Sequence, residues 1–97
     1  MSETKFTPGP WKIGAYESGR MAVDGANGKE VTGYIDIEDA HLISAAPDMY
    51  AELEAAMNVF TFYQGHHEAK GHSDKAQTNK QYKDRIAKVL AKARGEA

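Results

Sequence analysis

The chain has no cysteine, which excludes disulfides, thiolate metal sites and a cysteine nucleophile and makes a reducing compartment the simplest expectation. Long apolar runs are missing too: no segment approaches the ~20 apolar residues that span a bilayer, and MSETKFTPGPW holds no stretch fit for a signal peptide. A cytoplasmic protein without membrane contact is expected. G-x-S-x-G, a phosphate-cradling glycine loop and H-E-x-x-H are all absent, and "DGANGK" is better explained as a hairpin turn. The expectation is therefore a binding protein, not an enzyme, with no cofactor. The most informative lack is of positive charge between residues 30 and 69. Glu30, Asp36, Glu38, Asp39, Asp48, Glu52, Glu54 and Glu68 stand there without one Lys or Arg, a block of −8 in a chain whose formal total is −2.

What is present suits one small domain over residues 1–97: 41 % apolar and 27 % charged residues, enough to build a core. Residues 70–97 reverse the charge, with eight bases and three acids, net +5. Such polarity favours a charged partner, unless the acidic and basic segments are helices that attract each other.

Trp11, Ile13 and Ala15 alternate with polar or small neighbours at the period of a half-buried strand, and Met21–Val23 follows the turn "ESGR". After "DGANGK", Val31, Gly33, Ile35 and Ile37 predict one face of a third strand, with Thr32, Tyr34 and Asp36 on the other. Helices should cover this sheet. Asp36 or Glu38 can start the first, with Ala40, Leu42, Ile43 and Ala46 as its buried stripe, and Pro47 ends it and opens the second. The second is expected to run to Gln64 with Met49, Leu53, Ala56, Met57 and Phe60 inward, and to stop at Gly65. "GHHEAKGHSDKAQTN" reads as a loop or frayed start. Ser73 or Asp74 then caps a last helix that buries Tyr82, Ile86, Val89, Leu90 and Ala93 and is closed by Gly95. The fold class is α+β: a three-stranded antiparallel meander followed by two to three helices packed on the sheet.

His66, His67, Glu68 and His72 combine imidazole with carboxylate, but their spacing matches no well-specified site, so no metal is expected. The basic last helix could neutralise phosphates. The acidic block suggests the reverse, a surface imitating nucleic acid. Residues 36–54 as one straight helix would span about 27 Å. Six carboxylates there lie sparser than the charges of duplex DNA at one per ~1.7 Å or a single strand at one per ~3.4 Å. Mimicry thus requires Glu30, Asp24 or Glu17 from the hairpin edges to converge with them.

Thr7, Pro8, Gly9, Pro10 and Trp11, followed by Ala40, Leu42, Ile43, Ala45, Ala46, Pro47, Met49 and Leu53, resemble a group of small phage and prophage proteins that open with T-P-G-P-W and carry an A-x-L-I-A-A-A-P-x-L-like helix. The likeness covers about the first 60 residues, and His41 and Ser44 depart from the pattern. Length and charge layout are similar to a type I-F anti-CRISPR protein regarded as a DNA mimic. The resemblance implies a phage-encoded inhibitor in the bacterial cytoplasm, a monomer that binds Cascade (Csy) subunits through Glu30, Asp36, Glu38, Asp39, Glu52 and Glu54. Two alternatives stand beside it: an oligomeric sponge for a nucleotide signal, built on Ala51, Ala55 and Asn58, and a small DNA-binding regulator.

Overall fold

The computed structural model describes residues 6–96. Three strands, β1 (Lys12–Glu17), β2 (Arg20–Asp24) and β3 (Glu30–Asp36), precede three helices, α1 (Ile37–Ser44), α2 (Ala46–Ala69) and α3 (Ser73–Ala93). The sheet is an antiparallel meander in the order β1-β2-β3, as the alternation and turn signals lead one to expect. The chain forms two compact units, Met1–Met49 and Tyr50–Ala97, and α2 supplies residues to both.

In the first unit Ser18 and Gly19 both take positive φ, 49° and 80°, the two-residue turn whose twist matches that of the flanking strands. The faces differ from simple alternation. Ile13 pairs with Val23 but Ala15 with Ala22, so a bulge at Gly14 sends Ala15 to the face opposite Ile13. A side chain at Gly14 would strike the Asp24 carboxylate. In β3 the register slips twice: Met21 faces Ile35, Val23 faces Thr32, and Asp24 faces Glu30. Thr32 therefore sits across from Val23, and its Oγ1 accepts the Val23 N–H at 3.1 Å.

Helix α1 lies against all three strands. Ala40 and Val23 are fully buried, but Leu42, expected in the buried stripe, is 61 % exposed. An eight-residue helix on so narrow a sheet turns only one thin line of side chains inward. Asp36 precedes it without a side-chain cap bond, and Ala45 interrupts it before α2 begins.

The N-terminal segment is tied to this unit at three points. Trp11 Nε1 donates to the Thr7 carbonyl at 2.9 Å and its ring meets Phe6 edge-on. Ala26 N–H donates to the Pro8 carbonyl at 3.1 Å. A β-carbon at Gly9 would lie 2.8 Å from Pro47 Cβ. The TPGPW motif and the Ala46-Pro47 helix junction thus meet, with glycine at the point of closest approach.

In the second unit, the less exposed positions of α2, Tyr50, Leu53, Met57, Phe60, Gln64 and His67, recur at three- and four-residue intervals, the pattern of a helix seam. Ala76, Asn79, Lys83, Ile86 and Leu90 do the same on α3. Arg94 Nη1 donates to Tyr50 Oη at 2.9 Å, and Phe60 stacks on Tyr82 at 5.4 Å, so the two helices run antiparallel. Tyr50, Ala76 and Leu90 are buried. Tyr82 and Val89, expected inside, are 46 % and 53 % exposed.

The expected stop at Gly65 is not used. Helix α2 continues through His66, His67 and Glu68, helped by Gln64 donating to Glu68 at 3.0 Å. It ends where Gly71 takes φ +75°, with His72 N–H bonded to the His67 carbonyl and Gly71 N–H to that of Glu68, a Schellman closure. Gly95 closes α3 in the same way, through Glu96 N–H on Ala91 and Gly95 N–H on Lys92. The long loop read over residues 65–79 reduces to residues 70–72. His72, not Ser73 or Asp74, is the residue before α3, and no side chain caps that end. Among the described residues no helix is long and apolar enough to cross a membrane.

Candidate functional site

The acidic residues separate into three places. Asp36 ends β3 and Glu38 and Asp39 form the first turn of α1, where their charge complements the positive end of the helix. The register Glu17↔Arg20 and Arg20↔Asp36 adds Glu17 to this end of the sheet. Glu17, Asp36, Glu38 and Asp39 are all exposed. Arg20 lies among them, 3.9 Å from Asp36, and both side chains are largely in water, 63 % and 73 % exposed, so their attraction neutralises little.

Glu30 sits at the opposite end of β3, across from Asp24. Of the three hairpin acids, Glu17 lies at the Asp36 end of the sheet, and Glu30 and Asp24 lie at the other end. Glu52 and Glu54 belong to the second unit, and two residues apart on a helix they point to different sides: Glu52 is exposed and Glu54 half-buried. Glu17 is the one member of the site that lies outside the acidic block of the sequence, and the "ESGR" turn signal was the pointer to it.

Internal pairing does not consume the acids of α2. Among the described residues the ion pairs are Arg20–Asp36, Lys80–Asp84 and Arg94–Glu96. None joins Glu52, Glu54 or Glu68 to a base of α3. The Lys80 ammonium, 2.7 Å from Asp84, holds that carboxyl below its usual range. The Glu96 carboxylate and then the Tyr50 hydroxyl raise the affinity of Arg94 for its proton. These contacts fix α3 and the hairpin end, not the acidic patch.

The histidines form a ladder of rings: His66 to His67 at 5.5 Å and His67 to His72 at 5.9 Å, with Tyr63 6.4 Å from His67. Among the described residues no group of three or more His, Asp or Glu side chains is placed to hold a metal. Enclosure first, and then the neighbouring His66 and Lys75 charges, lower the His67 pKa below that of a free imidazole. Its Nδ1 and Gln64 Oε1 are enclosed without a hydrogen-bond partner.

Shallow hollows mark the described surface, one of them between Gly71 and Lys75 at the α2–α3 connection. Another lies by the acidic end, between Glu17, Ser18, Arg20 and Tyr34. A third is an open groove of about 220 Å³ on the hairpin, lined by Leu53, Tyr82, Arg85, Ile86 and Val89, with Arg85 over the Tyr82 ring at 5.7 Å.

No curated protein and no solved structure matches the chain. A family model described as Salmonella phage P22 protein Y8K6 matches residues 1–97, which agrees with the phage resemblance of TPGPW and LISAAPDM. The chain therefore belongs to the Salmonella phage P22 protein Y8K6 family.

Proposed function

We propose that this phage protein inhibits a host defence by binding, as an anti-CRISPR protein that occupies the DNA-binding surface of a type I-F Cascade (Csy) complex. The observation that carries the reading is the exposed group Glu17, Asp36, Glu38 and Asp39 at one end of the sheet, with Arg20 as a weakly engaged counter-charge. The acids of the first turn of α1 stand on a helix, so contact there orders their side chains without ordering the backbone as well. Basic residues that grip phosphates would meet carboxylates instead, and the long-range field would speed the encounter in a salt-dependent way. The contact centres on Asp36, Glu38 and Asp39, with Glu17 beside them. Glu30, Glu52 and Glu54 lie on other parts of the chain.

The test is capture of purified Cascade by the protein, repeated with excess target duplex and with the D36K/E38K/D39K variant. Capture that the duplex displaces, and that the folded variant loses, is the expected result. Undiminished capture by the variant would reject mimicry, and no capture by the wild type would reject the target.

A further inference from the structure

The second unit leaves several large apolar side chains in water. Val59 and Tyr63 on α2, and Tyr82 and Val89 on α3, are 52 %, 46 %, 46 % and 53 % exposed. They lie together. Phe60 stacks on Tyr82, and Leu53 lines the groove with Tyr82, Ile86 and Val89. On α2, Ala56 and Tyr63 follow Leu53 and Phe60 by three residues and so flank the same side of the seam. One face of the hairpin thus carries an apolar strip from both helices.

We propose that this face docks a second copy of the same chain, α2 of each copy lying on α3 of the other. Charge selects that occupant and its orientation. Helix α2 (Ala46–Ala69) holds Asp48, Glu52, Glu54 and Glu68 and no Lys or Arg, hence −4. Helix α3 (Ser73–Ala93) holds Lys75, Lys80, Lys83, Arg85, Lys88 and Lys92 against Asp74 and Asp84, hence +4. The two helices are equal and opposite, and among the described residues no ion pair engages the acids Glu52 and Glu54. A two-fold arrangement that stacks α2 on α2 would oppose four carboxylates with four. One with its axis parallel to the helices sets −4 on +4 twice, as a self-complementary interface requires.

That axis also fixes the register, because rotation about it leaves every residue at its own height along the bundle. Tyr50 is level with Arg94 and Phe60 with Tyr82, so Glu52 is level with Lys92. Both are exposed, and each would meet its counterpart on the other copy. The size is adequate. The hairpin along the 21 residues of α3 is about 31 Å long and roughly 20 Å wide. Its face offers about 600 Å² per copy, or about 1,200 Å² in all, the lower end of stable interfaces. This departs from the monomer expected from the sequence.

The experiment measures the mass of the full chain in solution by light scattering and sedimentation over a range of concentration and salt. Twice 10.6 kDa is the expected result, with dissociation favoured by high salt. V89E, at an exposed position, should give a folded single chain, with circular dichroism confirming the helices. E52K and K92E should each raise the dissociation constant about tenfold, since the symmetry repeats the like-charge contact. Mixing the two variants should restore the dimer, because positions 52 and 92 then carry opposite charges across both contacts. A wild-type mass of one chain at every concentration, a dimer that survives V89E, or a mixture that fails to associate would each overturn the proposal, whatever other partner the face then proves to bind.

Discussion

Gly9 links the TPGPW segment to the Ala46-Pro47 helix junction, and replacing it with alanine tests whether that contact is as tight as the geometry says. The added β-carbon would lie 2.8 Å from Pro47 Cβ and 3.2 Å from Pro47 Cγ. Ordinary carbon contacts begin near ~3.5 Å, and a proline ring has no rotamer by which to withdraw. The segment must move by several tenths of an ångström while Trp11 and Ala26 hold it at Thr7 and Pro8. Overpacking of this kind costs about 1–3 kcal/mol. The stiffer unfolded chain returns about 0.4–1 kcal/mol. A net loss of about 1 kcal/mol corresponds to a Tm roughly 4–8 °C lower in a domain of this size. The control is Gly33→Ala, where the new carbon meets Glu30 Oε1 at a comfortable 3.7 Å. Thermal and urea unfolding of both variants decide the matter. If G9A is as stable as G33A, the junction is loose and the steric argument for glycine fails.

Three further outcomes are expected. Leu90 is 1 % exposed, so Leu90→Ala should cost about 2–5 kcal/mol in urea unfolding. Ser18 holds φ 49°, a conformation that glycine adopts without the penalty of a β-carbon. Ser18→Gly should therefore match or exceed the wild-type Tm, and a clear fall would contradict the turn assignment. The lowered pKa of His67 means that the unfolded chain binds its proton more readily. Its contribution to stability is present above the usual imidazole pKa and is lost as pH falls through about 6.5 and below. His67→Phe should flatten the stability profile between about pH 7 and pH 5, and an unaltered slope would assign the effect elsewhere.

The order of elements was legible because its signals are local. Two glycine turns and the break at Pro47 are read directly from residue type, and the three strands and three helices follow. Faces were less legible, because β-bulges have no strong sequence mark. Gly14 and the doubled slip of β3 move Ala15 and Thr32 to sides that strict alternation denies them. The helix stop at Gly71 instead of Gly65 was decided by competition between two glycines, and the i,i+4 pair Gln64–Glu68 carries α2 past the first. At the acidic site, Asp36, Glu38 and Asp39 were found because they are neighbours in sequence. Glu17 joins them through strand register, a relation between distant positions that composition does not reveal.

The −8 block is therefore shared between two compact units. The boundary between Met49 and Tyr50 divides it, leaving Asp36, Glu38 and Asp39 with the sheet and giving Glu52 and Glu54 to the helical hairpin. If the sheet end meets a basic target and the hairpin meets a second copy, the two kinds of charge reversal should have separable effects. D36K/E38K/D39K should abolish Cascade capture and leave the mass in solution unchanged, whereas E52K should release single chains that still bind the target through the sheet end. A single mimic spread along all six carboxylates would instead lose capture with either change. Measuring both properties on both variants distinguishes a divided charge from a continuous one.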